Sequence, residues 1–212
     1  MKSSYRSLRG LLARVLTFLI SPVGSFEWSI LFSKDLDDRL ETYPARISTH
    51  ITPANEKDVL AIVGCTRLHT RDVLLDRFHG GNTCLVARKD GALAGFNWVV
   101  FHDSMDACYF INLAQGDVYC MDARTFDDYR GQGLHTELLS RLLIHARDKG
   151  CRRAFTRASA TNASSWKSHV RLGWKEEGSF FMFVSKRFAK QRCYGGPDRY
   201  PLRLDRRESD NR

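Results

Sequence analysis

The spacing of apolar residues changes twice in the second half of the chain. Val118 to Thr125 is a short apolar run broken at Asp122, which predicts a strand. Leu134, Leu138, Leu139, Leu142, Leu143 and Ala146 then recur at intervals of three and four, which predicts a helix over 134–149. The same reading gives a strand at 153–159, a helix at 163–171 and a strand at 180–186.

The first half is less regular. Arg46 to Ile51 alternates like a first strand, and Thr52 or Pro53 opens a helix running through Cys65. Arg71 to Phe78 forms a second short helix. Strands 83–88 and 93–101 form a hairpin around Lys89-Asp90-Gly91, and 105–117 is expected to be a strand with a loop. The order of elements predicts an α/β fold with crossovers and a mixed sheet.

At the start, Leu8, Leu11, Leu12, Val15, Leu16, Leu19 and Ile20 form a helical stripe over 4–20 with Arg6, Arg9 and Arg14 interspersed, and Pro22 closes it. The span is too short and too charged to cross a bilayer. Three readings stand for it: packing on the domain, contact with a second subunit, and lying on an anionic membrane. The boundaries that follow are a helix and linker over 1–45, a domain over 46–188, and a basic, flexible tail over 189–212.

Length and charge narrow the classes. With 212 residues the chain holds one full core, and 33 Lys and Arg against 24 Asp and Glu leave a net charge of +9. Much of the excess sits at the two ends, without the aromatic interleaving of a nucleic-acid surface, so no nucleic acid is expected. Cys65, Cys84, Cys108, Cys120, Cys151 and Cys193 contain no CxxC pair, so no metal site is expected. Thiols in apolar segments suit a reducing, cytoplasmic setting, extended to the inner membrane surface if the first helix lies on lipid.

The candidate chemistry lies at the strand-to-helix handover, Tyr129-Arg130-Gly131-Gln132-Gly133-Leu134-His135. Closely spaced glycines before a helix N-terminus leave backbone N–H groups and the positive end of the helix dipole for an anion. The order matches neither GxGxxG nor GxxxxGK[ST].

Arg130-Gly131-Gln132-Gly133, Asn162-Ala163-Ser164-Ser165 and Leu172-Gly173-Trp174, in this order of elements, resemble the GNAT superfamily of acyl-CoA-dependent N-acetyltransferases over residues 46–186. The resemblance implies a mixed, predominantly antiparallel central sheet flanked by helices. It also implies that acetyl-CoA, or another acyl-CoA, donates to a primary amine by direct attack. Arg130, Gly131, Gln132, Gly133, Leu134 and His135 would surround the pyrophosphate of coenzyme A, and Ala123 and Thr125 would offer backbone groups to its pantetheine arm. Arg130 either meets phosphate or anchors the turn. His135 stands where the family motif closes on Gly or Ala, and it either touches phosphate or narrows the cradle.

Asn162 and Ser165 fall on the family's cofactor-side helix, where an Asn equally caps the helix. His169 stands where relatives place a Tyr that protonates the thiolate, and packing is its other reading. Asp122 falls where relatives hold an acidic residue facing the amine; its other reading is a salt bridge with Arg124 or Arg157. The acceptor is expected to be a small-molecule amine, with His69, Arg71, Asp76, Arg77, His79, Phe96, Trp98, Tyr109 and Phe110 as candidate lining. Two alternatives stand beside this one: a noncatalytic coenzyme A-binding or peripheral membrane module, and a transferase using a longer acyl or aminoacyl donor.

Overall fold

A computed structural model of the chain describes residues 2–22, 24–65, 70–101, 111, 113–185, 191–195 and 205–206. The chain adopts the expected α/β class, divided into two compact units. One comprises Lys34–Ala107 and Leu113–Phe155; the other is built mainly from Met1–Ser33 and Thr156–Arg212.

In the first unit the strands β2 (His50–Pro53), β3 (Thr83–Lys89), β4 (Ala92–Phe101) and β5 (Asp117–Thr125) are antiparallel neighbours in that order. The opening residues of β6 (Arg153–Ser159) then pair parallel to β5, making the sheet mixed. Helices α2 (Glu56–Val63) and α3 (Arg71–His79) cover one face. Val59, Ile62 and Leu74 pack there on Cys84, Val86, Phe96 and Trp98 in a single buried cluster. Gly95 points the other way, because a Cβ there would lie 3.3 Å from a Leu138 methyl of α4 (Leu134–Asp148). This alternation along β4 sets helices on both faces.

In the second unit β1 (Gly24–Asp35), as far as Ser33, runs antiparallel to β7 (Lys175–Ser185), which pairs in turn with β8 (Gln191–Gly195), and β8 with β9 (Asp205–Arg206). Helices α1 (Lys2–Ile20) and α5 (Ala163–Arg171) belong to this unit. Phe32 stacks on His169 with ring centroids 5.0 Å apart, and the Trp174 ring stands nearly perpendicular to that imidazole with centroids 5.5 Å apart.

Several elements differ from the sequence-based expectation. Residues 24–35 form a long strand inside the segment taken as helix and linker, because Ser29 to Lys34 are all buried and show no period-two alternation. The first strand of the other unit lies at 50–53 rather than 46–51. The helix after it starts on Asn55, through a capping box with Asp58, rather than at Thr52 or Pro53. β7 begins at Lys175, five residues before the expected 180, and β8 and β9 fall in the segment taken as a flexible tail.

Candidate active site

Strand β5 carries a bulge at the apolar run's interruption. Trp98 of β4 faces Met121 and Phe96 faces Arg124, so β5 holds one extra residue opposite Asn97. Asp122 sits in that bulge with φ +50, a left-handed conformation that Asp tolerates better than most side chains. The ladder to β6 covers Asp117 to Tyr119, while the ladder to β4 continues to Thr125.

Asp122 is ion-paired. The Arg77 guanidinium donates to its Oδ2 at 2.6 Å; the Arg77 side chain is fully buried and the Asp122 side chain is 19% exposed. Arg77 also lies over the Trp98 ring, 5.2 Å from its centroid. Of the other arginines considered for Asp122, Arg124 donates to the Cys65 carbonyl and covers Phe126, and Arg157 meets Glu27 and Ser29. A carboxylate bonded to a buried cation at a strained position has a restricted orientation.

A turn of 3-10 helix over Asp127–Tyr129 leads into the glycines. Gly131 (φ +75) and Gly133 (φ +87) are both left-handed. No atom lies within 4 Å of where a Gly131 Cβ would be, so this glycine leaves open space. Gly133 takes the N-cap position of α4 and brings no side chain to it. Helices α2, α3 and α5 are all closed by side chains, of Asn55, Thr70 and Asn162. The Arg130 Nε donates to the Thr125 carbonyl at 3.3 Å, and its guanidinium pairs at the surface with Asp127 at 2.8 Å.

A strap from the segment before β2 runs along this turn. The Arg46 N–H donates to the Gln132 carbonyl at 2.8 Å, and the Ala45 N–H to the buried Glu137 carboxylate at 2.9 Å. Glu137 also receives Arg141. Neither strap residue was among the sequence candidates.

Leu134 is core, 1% exposed. Burial pushes the His135 imidazole down from its ordinary 6.5 to about 4, which favours its uncharged form at neutral pH. Ala123 is exposed and Thr125 half-buried on β5.

In the other unit, the Asn162 Oδ1 accepts the Ser165 N–H at 3.0 Å and caps α5. His169 is buried, and its Nδ1 donates to the Ser165 carbonyl at 2.6 Å. Of the acceptor candidates, Arg71, Asp76 and His79 are exposed, with His79 3.7 Å from Glu56. Phe96 and Trp98 are core. His69, Tyr109 and Phe110 lie outside the described residues. Burial raises the Cys120 thiol to about 12, which favours a packing role over a nucleophilic one.

The sequence model of the acetyltransferase (GNAT) family matches residues 20–174. The chain belongs to that family. Solved structures share its GNAT fold. A GNAT-family protein from Novosphingobium aromaticivorans superposes with a TM-score of 0.56 at 17% identity, over 74% of this chain and 62% of that one. An N-acetyltransferase from Staphylococcus aureus gives 0.51 at 22% identity, over 62% of this chain and 86% of that one. A GCN5-related N-acetyltransferase from Sphaerobacter thermophilus gives 0.57 at 11%, over 80% and 55%. The chain thus spans about six tenths of the first of these GNAT relatives. No curated protein sequence matches it.

Proposed function

We propose that the chain is an acyl-CoA-dependent N-acyltransferase that moves an acyl group, acetyl in the first instance, to the primary amine of a small molecule. The observation that carries this reading is the start of α4: two left-handed glycines, open space at Gly131, and a helix N-terminus without a side-chain cap, immediately after a bulged strand. Such a start suits a pyrophosphate, which accepts from backbone N–H groups and is stabilised by the helix dipole. Gly131, Gln132, Gly133, Leu134 and His135 supply that surface with their backbones, and Arg130 and the Arg46 strap hold its shape. Ala123 and Thr125 of β5 offer main-chain groups to the pantetheine arm.

In this reading Asp122 holds the incoming ammonium and, through water, takes its proton. The neutral amine attacks the thioester carbonyl carbon, and a β5 N–H stabilises the oxyanion. The tetrahedral intermediate then breaks its C–S bond to give amide and thiolate as the nitrogen releases its second proton, and the thiolate takes up that proton through water. For His169 the geometry favours packing over acid catalysis, since the ring is buried between Phe32 and Trp174 with Nδ1 committed to Ser165. Asn162 and Ser165 serve α5 as its cap and first turn. A cytoplasmic site of action goes with this reading, supported by the free thiols of Cys65, Cys84, Cys120 and Cys151.

The test is calorimetry with acetyl-CoA, desulfo-CoA and NAD, followed by thiol release in an amine screen. Binding of both coenzyme A compounds but not NAD, with amine-dependent thiol release, is expected. Selective binding without turnover on any amine would make the chain a coenzyme A-binding module, and no binding by folded protein would overturn the reading.

A further inference from the structure

We propose that α1 seats the protein on an anionic phospholipid surface. The helix meets its own domain through a narrow side. Ala13 is 2% exposed, and a Cβ on Gly10 would lie 3.4 Å from the Ala160 carbonyl oxygen. Arg9 pairs with Glu176 at 2.6 Å, and the Thr17 hydroxyl donates to the Phe26 carbonyl at 3.2 Å. Leu16 and Ile20 are half-buried beside them.

The large apolar residues point elsewhere. Leu8, Leu11, Leu12, Val15, Phe18 and Leu19 are 44–78% exposed, and among the described residues only Leu60 and Val170 join them as exposed large hydrophobics. Their spacing of three and four places all six on one stripe of α1. A helix packed to complete a core turns such a stripe inward; here the stripe remains outside after the domain has taken what it needs.

Charge decides what covers it. Residues 1–26 contain Lys2, Arg6, Arg9 and Arg14 and no Asp or Glu. Arg14 is exposed three residues from Leu11 and four from Phe18, flanking the stripe. A second copy laid on this face would bring cation-bearing helices together with no carboxylate from either helix to offset them. An anionic headgroup layer supplies that charge while its acyl boundary takes up the leucines and Phe18. No helix among the described residues is long and apolar enough to cross a membrane, so the contact is interfacial. This inference is independent of the acyltransfer reading.

The test is co-sedimentation of the full chain with vesicles of phosphatidylcholine alone and of phosphatidylcholine with phosphatidylglycerol, at low and high salt. Binding to the anionic vesicles at least about tenfold tighter than to the neutral ones is expected, weakening as salt rises. Replacing Leu11→Ser with Phe18→Ser lowers partitioning about tenfold or more, and Arg14→Gln lowers it about fivefold. Circular dichroism confirms that the variants are folded. Absence of binding by folded wild-type protein would overturn the proposal, as would equal partitioning of the double variant. So would a dimer in sedimentation equilibrium that the double variant dissolves while vesicle binding is nil.

Discussion

Helix α5 begins on Asn162, whose side chain closes its first turn, whereas α4 begins on Gly133, which brings none and is itself left-handed. In the first case the chain supplies its own acceptor and the helix end is complete. In the second the turn is tied from outside, by Arg130 on Thr125 and by the Arg46 strap on Gln132, and in the proposed function its dipole end meets the pyrophosphate. The contrast separates two glycine-and-polar signals that look equally promising in sequence. A polar residue at a helix start is most often its cap, and a glycine pair that forgoes a cap is the more informative feature.

Substitutions can break or sharpen this contrast. The largest effect is expected on the strand leading into α4: Asp122→Asn lowers turnover about 100-fold while acetyl-CoA affinity stays within about twofold. Asn accepts the left-handed backbone, so a parallel loss of affinity and turnover would remove Asp122 from the chemistry. Next, Gly133→Val weakens acetyl-CoA binding about tenfold or more in calorimetry, because a β-branched residue strains φ +87 and displaces the turn. Unchanged affinity in a folded variant would show that α4 does not hold the ligand.

Asn162→Ala is the control on the other helix. It costs about 1 kcal/mol and lowers the melting temperature by about 2–4 °C, with acetyl-CoA affinity unchanged. A loss of affinity as large as that for Gly133→Val would collapse the distinction between the two helix starts. The smallest effect at neutral pH concerns His135. Its folded value near 4 lies below the ordinary 6.5, so the unfolded chain binds the extra proton and stability falls as pH drops from about 6.5 towards 4. His135→Gln flattens that slope in denaturant titrations across the window, and an unchanged slope would show that the imidazole is solvated.

The turn and its two flanking elements were legible because local spacing determines them: β5, α4, β6 and α5 fall within one or two residues of expectation. Features set by distant partners were not. Strand β1 lacks alternation over Ser29 to Lys34 because all six are buried, although Phe26-Glu27-Trp28 just before them does carry a strand signal. The capping box of Asn55 and Asp58 was present in the sequence but masked by the earlier Pro53. Arg46 reads as part of a strand by alternation, yet its N–H is claimed by Gln132. Asp122 stands out as an interruption, while its partner Arg77 lies 45 positions away and no pattern links them.

The strap has a kinetic consequence. Ala45 and Glu137 are 92 positions apart, so their bond closes a long loop whose entropy must be lost before the contact returns anything. Helix α4 can form early from its own leucines, but its first turn reaches its final shape only when the strap arrives. On that account the first turn of α4, proposed to meet the pyrophosphate, is among the late parts of the fold to mature, and a chain truncated before Glu137 cannot yet make the Ala45 contact.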